Sequence, residues 1–196
     1  MMLIEQTQVP DAALPVAELE AHLRLSSGFG TGVSQEALLM SFLRAALAAI
    51  EGWTDKVLIA RGFTYTVRSW RQARSQPLPV APIRAVSAVQ MVTPAGAEAA
   101  MTAEWYLQAD MVRPVLSAPH GAFDAIPTGG MAQIHFTAGF GPTFGDVPAD
   151  LRQAVLLLAA HYYEYRDETA LSEGCMPFGV TALLARYRKM RLGMGA

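Results

Sequence analysis

Apolar residues recur at helical spacing near the beginning of the chain. The segments LPVAELEAHLRL and QEALLMSFLRAALAAIEGW each place them three and four residues apart, which predicts two helices. The apolar stripe of the longer segment consists of Leu39, Phe42, Leu43, Ala46 and Ile50. Gly52 follows this stripe, where a glycine commonly ends a helix, so we expect the second helix to end there.

The same spacing returns in the segment VPADLRQAVLLLAAHYYEYRDE near the end of the chain. Pro148 is tolerated in a first helical turn, and Asp150 suits the positive N-terminal end of a helix. The predicted stripe consists of Leu151, Val155, Leu158, Tyr162 and Tyr165. The segment from Val180 to Ala196 then begins apolar and ends basic. We expect the helices of the two zones to pack together, because neither zone could bury its stripe alone.

Between these zones the pattern alternates and is rich in β-branched and aromatic residues, which is typical of strands. Five short strands are expected, within KVLIARGFTYTVRSW, RAVSAVQMVT, EWYLQAD, VRPVLSA and AQIHFTAGF, with a turn at PAGAEA. The predicted fold class is α+β: a mainly helical body, in which the N- and C-terminal helices pack together, with an inserted small antiparallel β-sheet region. Residues 1–56 and 147–196 would form the body, and residues 57–146 the β-rich insertion.

The composition narrows the class of protein. Hydrophobic residues make up 52% of the 196 residues and charged residues 16%, which argues against a disordered chain. The formal net charge of −2 provides no global basic field for binding nucleic acid. A single cysteine excludes an internal disulfide and a cysteine zinc cluster. No run of 18 apolar residues occurs, so we expect no membrane span.

The motifs that carry chemistry are weak. His161 and Glu164 share a helix face, but a metal site needs three or four ligands and no second pair of this kind occurs. The glycine-rich stretches GFGTG and GFGPTFG match neither dinucleotide-binding nor phosphate-loop motifs. No nucleophile elbow occurs either. We therefore predict no enzyme and no catalytic, cofactor-binding or metal-ligating residue, and a small metal-dependent hydrolase using His161 and Glu164 remains a distant alternative.

The order of the pieces resembles the head–tail connector (adaptor) proteins of tailed phages, of the HK97 gp6-like and phiE125 gp8-like type, and especially those of alphaproteobacterial gene transfer agents. The stretches that carry the resemblance are LPVAELEAHLRL, LLMSFLRAALAAIEGWTDKVLI, LPVAPIRAVSAV, IHFTAGFG, VPADLRQAVLLLAAHYYEYRD and PFGVTALLARYR. They span nearly the whole chain, and the stretch from Val147 to Arg166 is the most specific.

The resemblance implies a structural protein without a cofactor, assembled in the bacterial cytoplasm into the neck of a phage-like particle. It would form a ring of itself, usually a dodecamer, beneath the portal protein. This ring would extend the channel through which DNA passes without sequence-specific binding, and it would receive a tail or stopper protein. No membrane partner is implied. A related neck or tail-completion protein is the alternative.

The resemblance also points to two sets of contact residues. The tail set, expected to dock on the portal, consists of Leu183, Leu184, Tyr187, Arg188 and Arg191. The helix-end set, expected at contacts between subunits, consists of Tyr162, Tyr163 and Arg166. We expect removal of residues 180–196 to abolish portal attachment and to leave the rest of the chain folded.

Overall fold

The computed structural model describes residues 1–25, 33–166 and 176–187. The chain divides into two compact units, each formed from two separate stretches of sequence. The first unit consists of Met1–Val9 and Ile59–Pro142 and contains the strands. The second unit consists of Pro10–Leu58 and Thr143–Ala196 and contains the helices. Arg188, Arg191, Cys175 and the GFGTG stretch lie outside the described residues.

The described part of the second unit contains four α-helices. They are α1 (Val16–His22), α2 (Val33–Thr54), α3 (Ala149–Glu164) and α4 (Phe178–Leu184). Three short 3-10 turns accompany them, at Asp11–Ala13, Phe144–Asp146 and Ala185–Tyr187. Helices α1, α2 and α4 all pack against α3, which is therefore the central helix of this unit.

The apolar stripes form the contact between α2 and α3. Of the predicted α2 stripe, Leu39, Leu43, Ala46 and Ile50 are fully buried. Phe42 is half-buried and meets the ring of Tyr163 edge-on, with the two ring centroids 6.1 Å apart. The α3 residues that are buried are Leu151, Ala154, Val155, Leu156, Leu158, Ala159 and Ala160. The predicted α3 stripe holds over its first half but not at its end, where Tyr165 is exposed.

The end of α2 differs from the prediction. Gly52 lies inside the helix, which continues to Thr54, and Asp55 adopts the left-handed conformation with φ of 55°. Two side-chain hydrogen bonds lie at this helix end: the Thr54 hydroxyl donates to the Ile50 carbonyl at 2.7 Å, and the Glu51 carboxylate accepts from the Leu58 amide, beyond the helix, at 2.8 Å. The helix therefore ends without glycine.

One stretch of α2, Gln35–Thr54, is long and apolar enough to cross a membrane by length and composition alone. Core helices meet the same criterion, and 33% of the most apolar part of this stretch is buried within the chain. Two large apolar side chains of the helix, Leu38 and Trp53, are exposed. The helix is therefore more apolar than its contacts within one copy of the chain require.

The first unit contains eight strands in its described residues, β1 to β8 in chain order. They are Met2–Glu5, Arg61–Val67, Ser75–Pro77, Ile83–Val92, Glu98–Ala100, Tyr106–Gln108, Val115–Ser117 and Met131–Ala138. They form a five-stranded sheet in the order β1-β2-β8-β4-β5 and a three-stranded sheet in the order β3-β7-β6. Every pair of neighbouring strands is antiparallel.

The predicted fold class, a mainly helical body with an inserted small antiparallel sheet, is wrong. Of the residues that the structure describes, 35% are helical and 27% lie in strands, which form two sheets. Three of the strands, β1, β3 and β5, were not predicted from the sequence pattern. Strand β1 precedes the first helix and pairs with β2 across a long intervening segment, β3 ends in a proline, and β5 overlaps the end of the predicted turn PAGAEA. Strands this short carry too little alternation to be recognised without their partners.

Strand β8 organises the larger sheet. Its side chains alternate, with Ala132, Ile134, Phe136 and Ala138 buried and the residues between them half-buried. On the opposite face of the sheet, His135 joins β8 to its neighbours β2 and β4. The His135 Nδ1 lies 2.9 Å from the Thr64 hydroxyl, and the His135 Nε2 lies 3.0 Å from Gln90 Oε1. Since that amide oxygen can only accept, Nε2 carries the proton and Nδ1 accepts from the hydroxyl. This polar chain fixes the register of three strands.

Candidate docking surface

The tail of the described chain is anchored on α3. Pro177 precedes α4, and the Pro177 carbonyl accepts hydrogen bonds from the Val180 amide at 2.9 Å and the Thr181 amide at 3.1 Å. Val180 and Leu184 are both fully buried. Their spacing of four residues places them on one face of α4, so this helix is part of the packed unit. A truncation that begins at Val180 would thus remove two core side chains.

A hydrogen-bonded cluster fixes the end of the tail to the first turn of α3. The Tyr187 hydroxyl donates to Asp150 Oδ1 at 2.8 Å, and Arg186 Nε lies 2.8 Å from Asp150 Oδ2. The Arg186 guanidinium also donates to the Tyr187 hydroxyl at 2.5 Å and lies over the Tyr187 ring. We call Asp150, Arg186 and Tyr187 the tail clamp. Its carboxylate also suits the positive end of the α3 dipole.

The three groups of the tail clamp differ in their exposure. The Asp150 side chain is 21% exposed and that of Arg186 is 69% exposed. Burial raises the pKa of the Tyr187 hydroxyl above its usual value of 10.0, and the hydrogen bond that it donates to Asp150 raises this pKa further; the hydrogen bond from Arg186 opposes the shift. The neutral phenol is therefore the form that holds the clamp.

The structure separates the tail set into three groups. Leu184 is fully buried and anchors α4. Leu183 and Tyr187 are half-buried, so each has a surface open to a partner. Arg188 and Arg191 lie outside the described residues. Arg186, the described basic residue that is closest to them in the sequence, is paired with Asp150.

Phe178 is a surface residue that the sequence reasoning missed. It begins α4 and is 88% exposed, more than any other large apolar side chain in the described residues. A signal was present in the sequence. Val180 and Leu184 define the buried face, and at about 100° per residue Phe178 lies roughly 140° from the middle of that face. A phenylalanine on the side of α4 opposite its buried face is left open to solvent.

The helix-end set lies at the C-terminal end of α3. Tyr163 packs against Phe42 of α2, and the Arg166 guanidinium lies 4.8 Å from the centre of the Tyr163 ring. Arg166 also donates to the Tyr163 carbonyl at 3.1 Å. Tyr162 is half-buried, and burial raises its pKa above the usual value of 10.0. The three residues are thus together, and Arg166 is exposed at the edge.

No cluster of three or more potential metal ligands occurs in the part of the chain that the structure describes. His161 lies against the ring of Tyr165, with the two ring centroids 4.6 Å apart, and Glu164 is exposed. In the second glycine-rich stretch, Asp146 accepts hydrogen bonds from the Thr143 amide at 2.9 Å and hydroxyl at 2.7 Å. His161 and Asp146 thus make contacts with residues close to them in sequence.

Solved structures of particle necks contain chains similar to this one along its whole length. One, described as the neck of an empty GTA particle computed with C6 symmetry, has 50% sequence identity and a TM-score of 0.90. A second, the neck of a native GTA particle computed with C12 symmetry, has 48% identity and a TM-score of 0.86. A third, the virion of a native gene transfer agent (GTA) particle, has 49% identity and a TM-score of 0.87. Each match covers 100% of this chain and 99% of the other.

No protein-family model and no curated protein sequence matches the chain. The structural matches nevertheless define the class, which is the structural proteins of phage-like particles. Within that class, the chain belongs to the family of gene transfer agent neck proteins. The predicted resemblance to a gene transfer agent protein is thereby confirmed, and the finer assignment to the head–tail connectors stays a prediction.

Proposed function

We propose that this chain is a structural head–tail connector, which forms a ring below the portal in the neck of a gene transfer agent particle. The ring extends the channel for DNA and joins the head to the tail. The observation that carries this proposal is the 50% identity, over the full length of both chains, to a chain from a particle neck. The C12 symmetry of a second neck supports a dodecamer.

The tail of the chain is the proposed portal contact. Phe178 and Leu183 offer apolar surface on α4, and Tyr187 offers the exposed part of its ring. Leu184 serves this surface indirectly, because it anchors α4 to the unit. The tail clamp holds the end of the segment in place, and pre-ordering reduces the entropy that binding would otherwise cost. Arg188 and Arg191 complete the proposed contact.

The helix-end set is the proposed contact between subunits. Aromatic and arginine side chains are enriched at the centres of protein interfaces. Tyr162, Tyr163 and Arg166 provide such a group at the end of the central helix, and Arg166 is already ordered over the Tyr163 ring. The predicted division of labour, with residues 1–56 and 147–196 as the ring-forming body and residues 57–146 projecting from it, stays a prediction.

The proposed partners are further copies of the chain, the portal protein, and a tail or stopper protein. DNA passes through the ring without sequence-specific binding. The formal net charge of −2 supports this role, because every neutralised phosphate would strengthen binding and oppose sliding.

Portal attachment tests the proposal most directly at the level of residues. We expect Phe178→Ser combined with Leu183→Ser to abolish co-purification with the portal, because this change removes the apolar surface of α4 and leaves Val180 and Leu184 in place. Val112→Ser is the matched control: Val112 is 48% exposed, but it lies in the other unit. If the double variant still attaches to the portal as the control does, the proposed contact is wrong.

A truncation after Tyr187 tests the remaining members of the tail set. It removes Arg188 and Arg191 but keeps the buried side chains of α4 and the tail clamp. We expect this shortened chain to fold and to lose portal attachment. A related neck or tail-completion protein would instead fold, ignore the portal, and bind another component of the particle.

A further inference from the structure

Strand β1 leaves an apolar edge of the larger sheet open. It is the first strand in the order β1-β2-β8-β4-β5, and all four of its residues are exposed. Met2, Leu3 and Ile4 are apolar, and Met1, which precedes them, is 78% exposed. Natural proteins usually protect such edges with charged residues or proline, because an open apolar edge pairs with other strands. This edge has neither protection before Glu5.

The direction of the backbone groups shows what this edge offers. The backbone N–H of Gln6 donates to the Gly62 carbonyl at 2.8 Å, in register with the pairing of β1 and β2. In an antiparallel pair, alternate residues direct their backbone groups toward the partner strand. Leu3 and Glu5 therefore direct their N–H and C=O groups away from β2, and in the described residues these groups make no backbone hydrogen bond.

The opposite edge of the same sheet has a matching arrangement. The Met101 amide donates to the Val89 carbonyl at 2.9 Å, in register with the pairing of β4 and β5. By the same alternation, Glu98 and Ala100 direct their backbone groups outward. All three residues of β5 are exposed. Each edge thus presents two outward-facing residues, spaced two positions apart.

The symmetry of the neck decides between possible partners for β1. In a cyclic ring of more than two copies, each copy must join its neighbours through two different surfaces. Pairing of β1 with β1 uses the same surface twice and stops at a dimer. Strands β1 and β5 are the two different edges of one sheet, so a contact between β1 of one copy and β5 of the next meets the requirement for two different surfaces. Because all four pairings in this sheet are antiparallel, β1 and β5 run in the same direction, and copies related by a small rotation would bring them together as parallel strands.

We propose that β1 of one copy pairs with β5 of the next copy around the ring. This inference rests on the proposed function, since it needs the ring. The smaller sheet also has two edge strands in the described residues, β3 and β6. Strand β3 ends in Pro77, which lacks an amide donor. Strand β6 is therefore the competing partner for β1 that an experiment has to exclude.

Paired cysteines test the contact. In a Cys175→Ser background, Leu3→Cys is combined with Ala99→Cys or with Ala100→Cys, and rings assembled on the portal are oxidised. Within one copy, β1 and β5 are four strand spacings apart, roughly 19 Å, which no disulfide spans. A ladder of linked chains on a denaturing gel would thus report contact between copies. Adjacent residues face opposite sides of a strand, so we expect only one of the two pairs to link efficiently.

Other outcomes of this experiment are decisive. If Leu3→Cys alone gives linked dimers, β1 pairs with β1 and the inference is wrong. If Leu3→Cys links to Gln108→Cys, the partner is β6 and the inference is also wrong. If rings form on the portal and no β1–β5 pair links, the inference fails and the proposed function stands. If no ring forms with the unaltered chain, both fail.

A second variant tests the backbone groups themselves. Leu3→Pro removes one outward N–H, while its β1–β2 hydrogen bonds use the alternate residues. We expect this variant to remain folded and to lose the ring, whereas Leu3→Val, which keeps the N–H, forms rings as the unaltered chain does. Ala100→Pro makes the same change on the other edge and covers the case in which Leu3→Pro does not fold. Normal rings from both proline variants would overturn the inference.

Discussion

The tail clamp permits a direct test of how the described end of the chain, residues 178–187, is held in place. Tyr187→Phe removes one hydroxyl, which donates to Asp150 Oδ1 at 2.8 Å and accepts from Arg186. A hydrogen bond to a charged group contributes about 1.5–3 kcal/mol, and we expect about 1–2 kcal/mol here because both partners are partly exposed. The Arg186 ion pair adds little, since its guanidinium lies mostly in water.

This loss should act locally. Helix α4 is short and is joined to α3 by two fully buried side chains and the clamp, so it can open while the rest of the unit stays folded. A change of about 1–2 kcal/mol corresponds to roughly 5- to 30-fold faster amide exchange. Hydrogen exchange read by mass spectrometry over residues 178–187 measures this directly. We expect Asp150→Asn to give a similar change, and the two changes together to give less than their sum.

Tyr162→Phe is the matched control. Tyr162 is also a half-buried tyrosine of the second unit, but in the described residues its hydroxyl makes no hydrogen bond. We expect its removal to leave exchange over residues 178–187 unchanged. If Tyr187→Phe behaves like this control, the clamp does not hold the tail and the reasoning from its geometry is refuted.

Three further predictions concern pH and glycine positions. The folded-state pKa of Tyr187 is raised above 10.0, so its contribution to stability is complete below pH 10 and is lost as the pH rises through the folded value. The protection of residues 178–187, taken relative to the intrinsic base-catalysed exchange rate, should therefore fall there, and Tyr187→Phe should remove that step. Hydrogen bonds from the Thr102 amide and hydroxyl and a nearby amide lower the pKa of Asp124 below 3.8, so its contribution is present above pH 3.8 and is lost as the pH falls through the lower folded value; Asp124→Asn should flatten an acid titration of stability. Gly139→Ala should prevent stable folding, because the backbone φ of Gly139 is 132° and the added Cβ would lie 2.4 Å from the Ala60 Cα. In contrast, the Cβ added by Gly52→Ala meets no atom within 4 Å, so this change should stabilise α2 by about 0.5–1 kcal/mol in thermal unfolding.

The sequence pattern identified the long elements because their apolar residues repeat many times. In α2, four of the five predicted stripe residues are fully buried, and β8 alternates through all eight residues. The pattern failed where an element is short or its partner is distant. Strand β1 has four residues and pairs with β2 through the register Met2 to Thr66, a contact that no local pattern reveals.

The sequence indicates only part of the surface that we propose for docking. Leu183 and Leu184 are adjacent apolar residues, and only the position of α4 on α3 shows that Leu184 is buried while Leu183 remains accessible. The tail clamp joins residues 37 positions apart, so spacing along the chain could not indicate it. A helical-wheel projection can indicate the exposure of Phe178, but it requires the start of α4 to be known.

The mass of the protein, alone and mixed with purified portal, tests the central claim most directly. Light scattering of the chain alone measures its free state against the 21.1 kDa monomer. On the portal we expect an added mass of twelve copies of 21.1 kDa, about 250 kDa, as a ring with the symmetry of a neck requires. A portal peak of unchanged mass, with the chain eluting separately, would contradict the proposal that this chain is the connector below the portal.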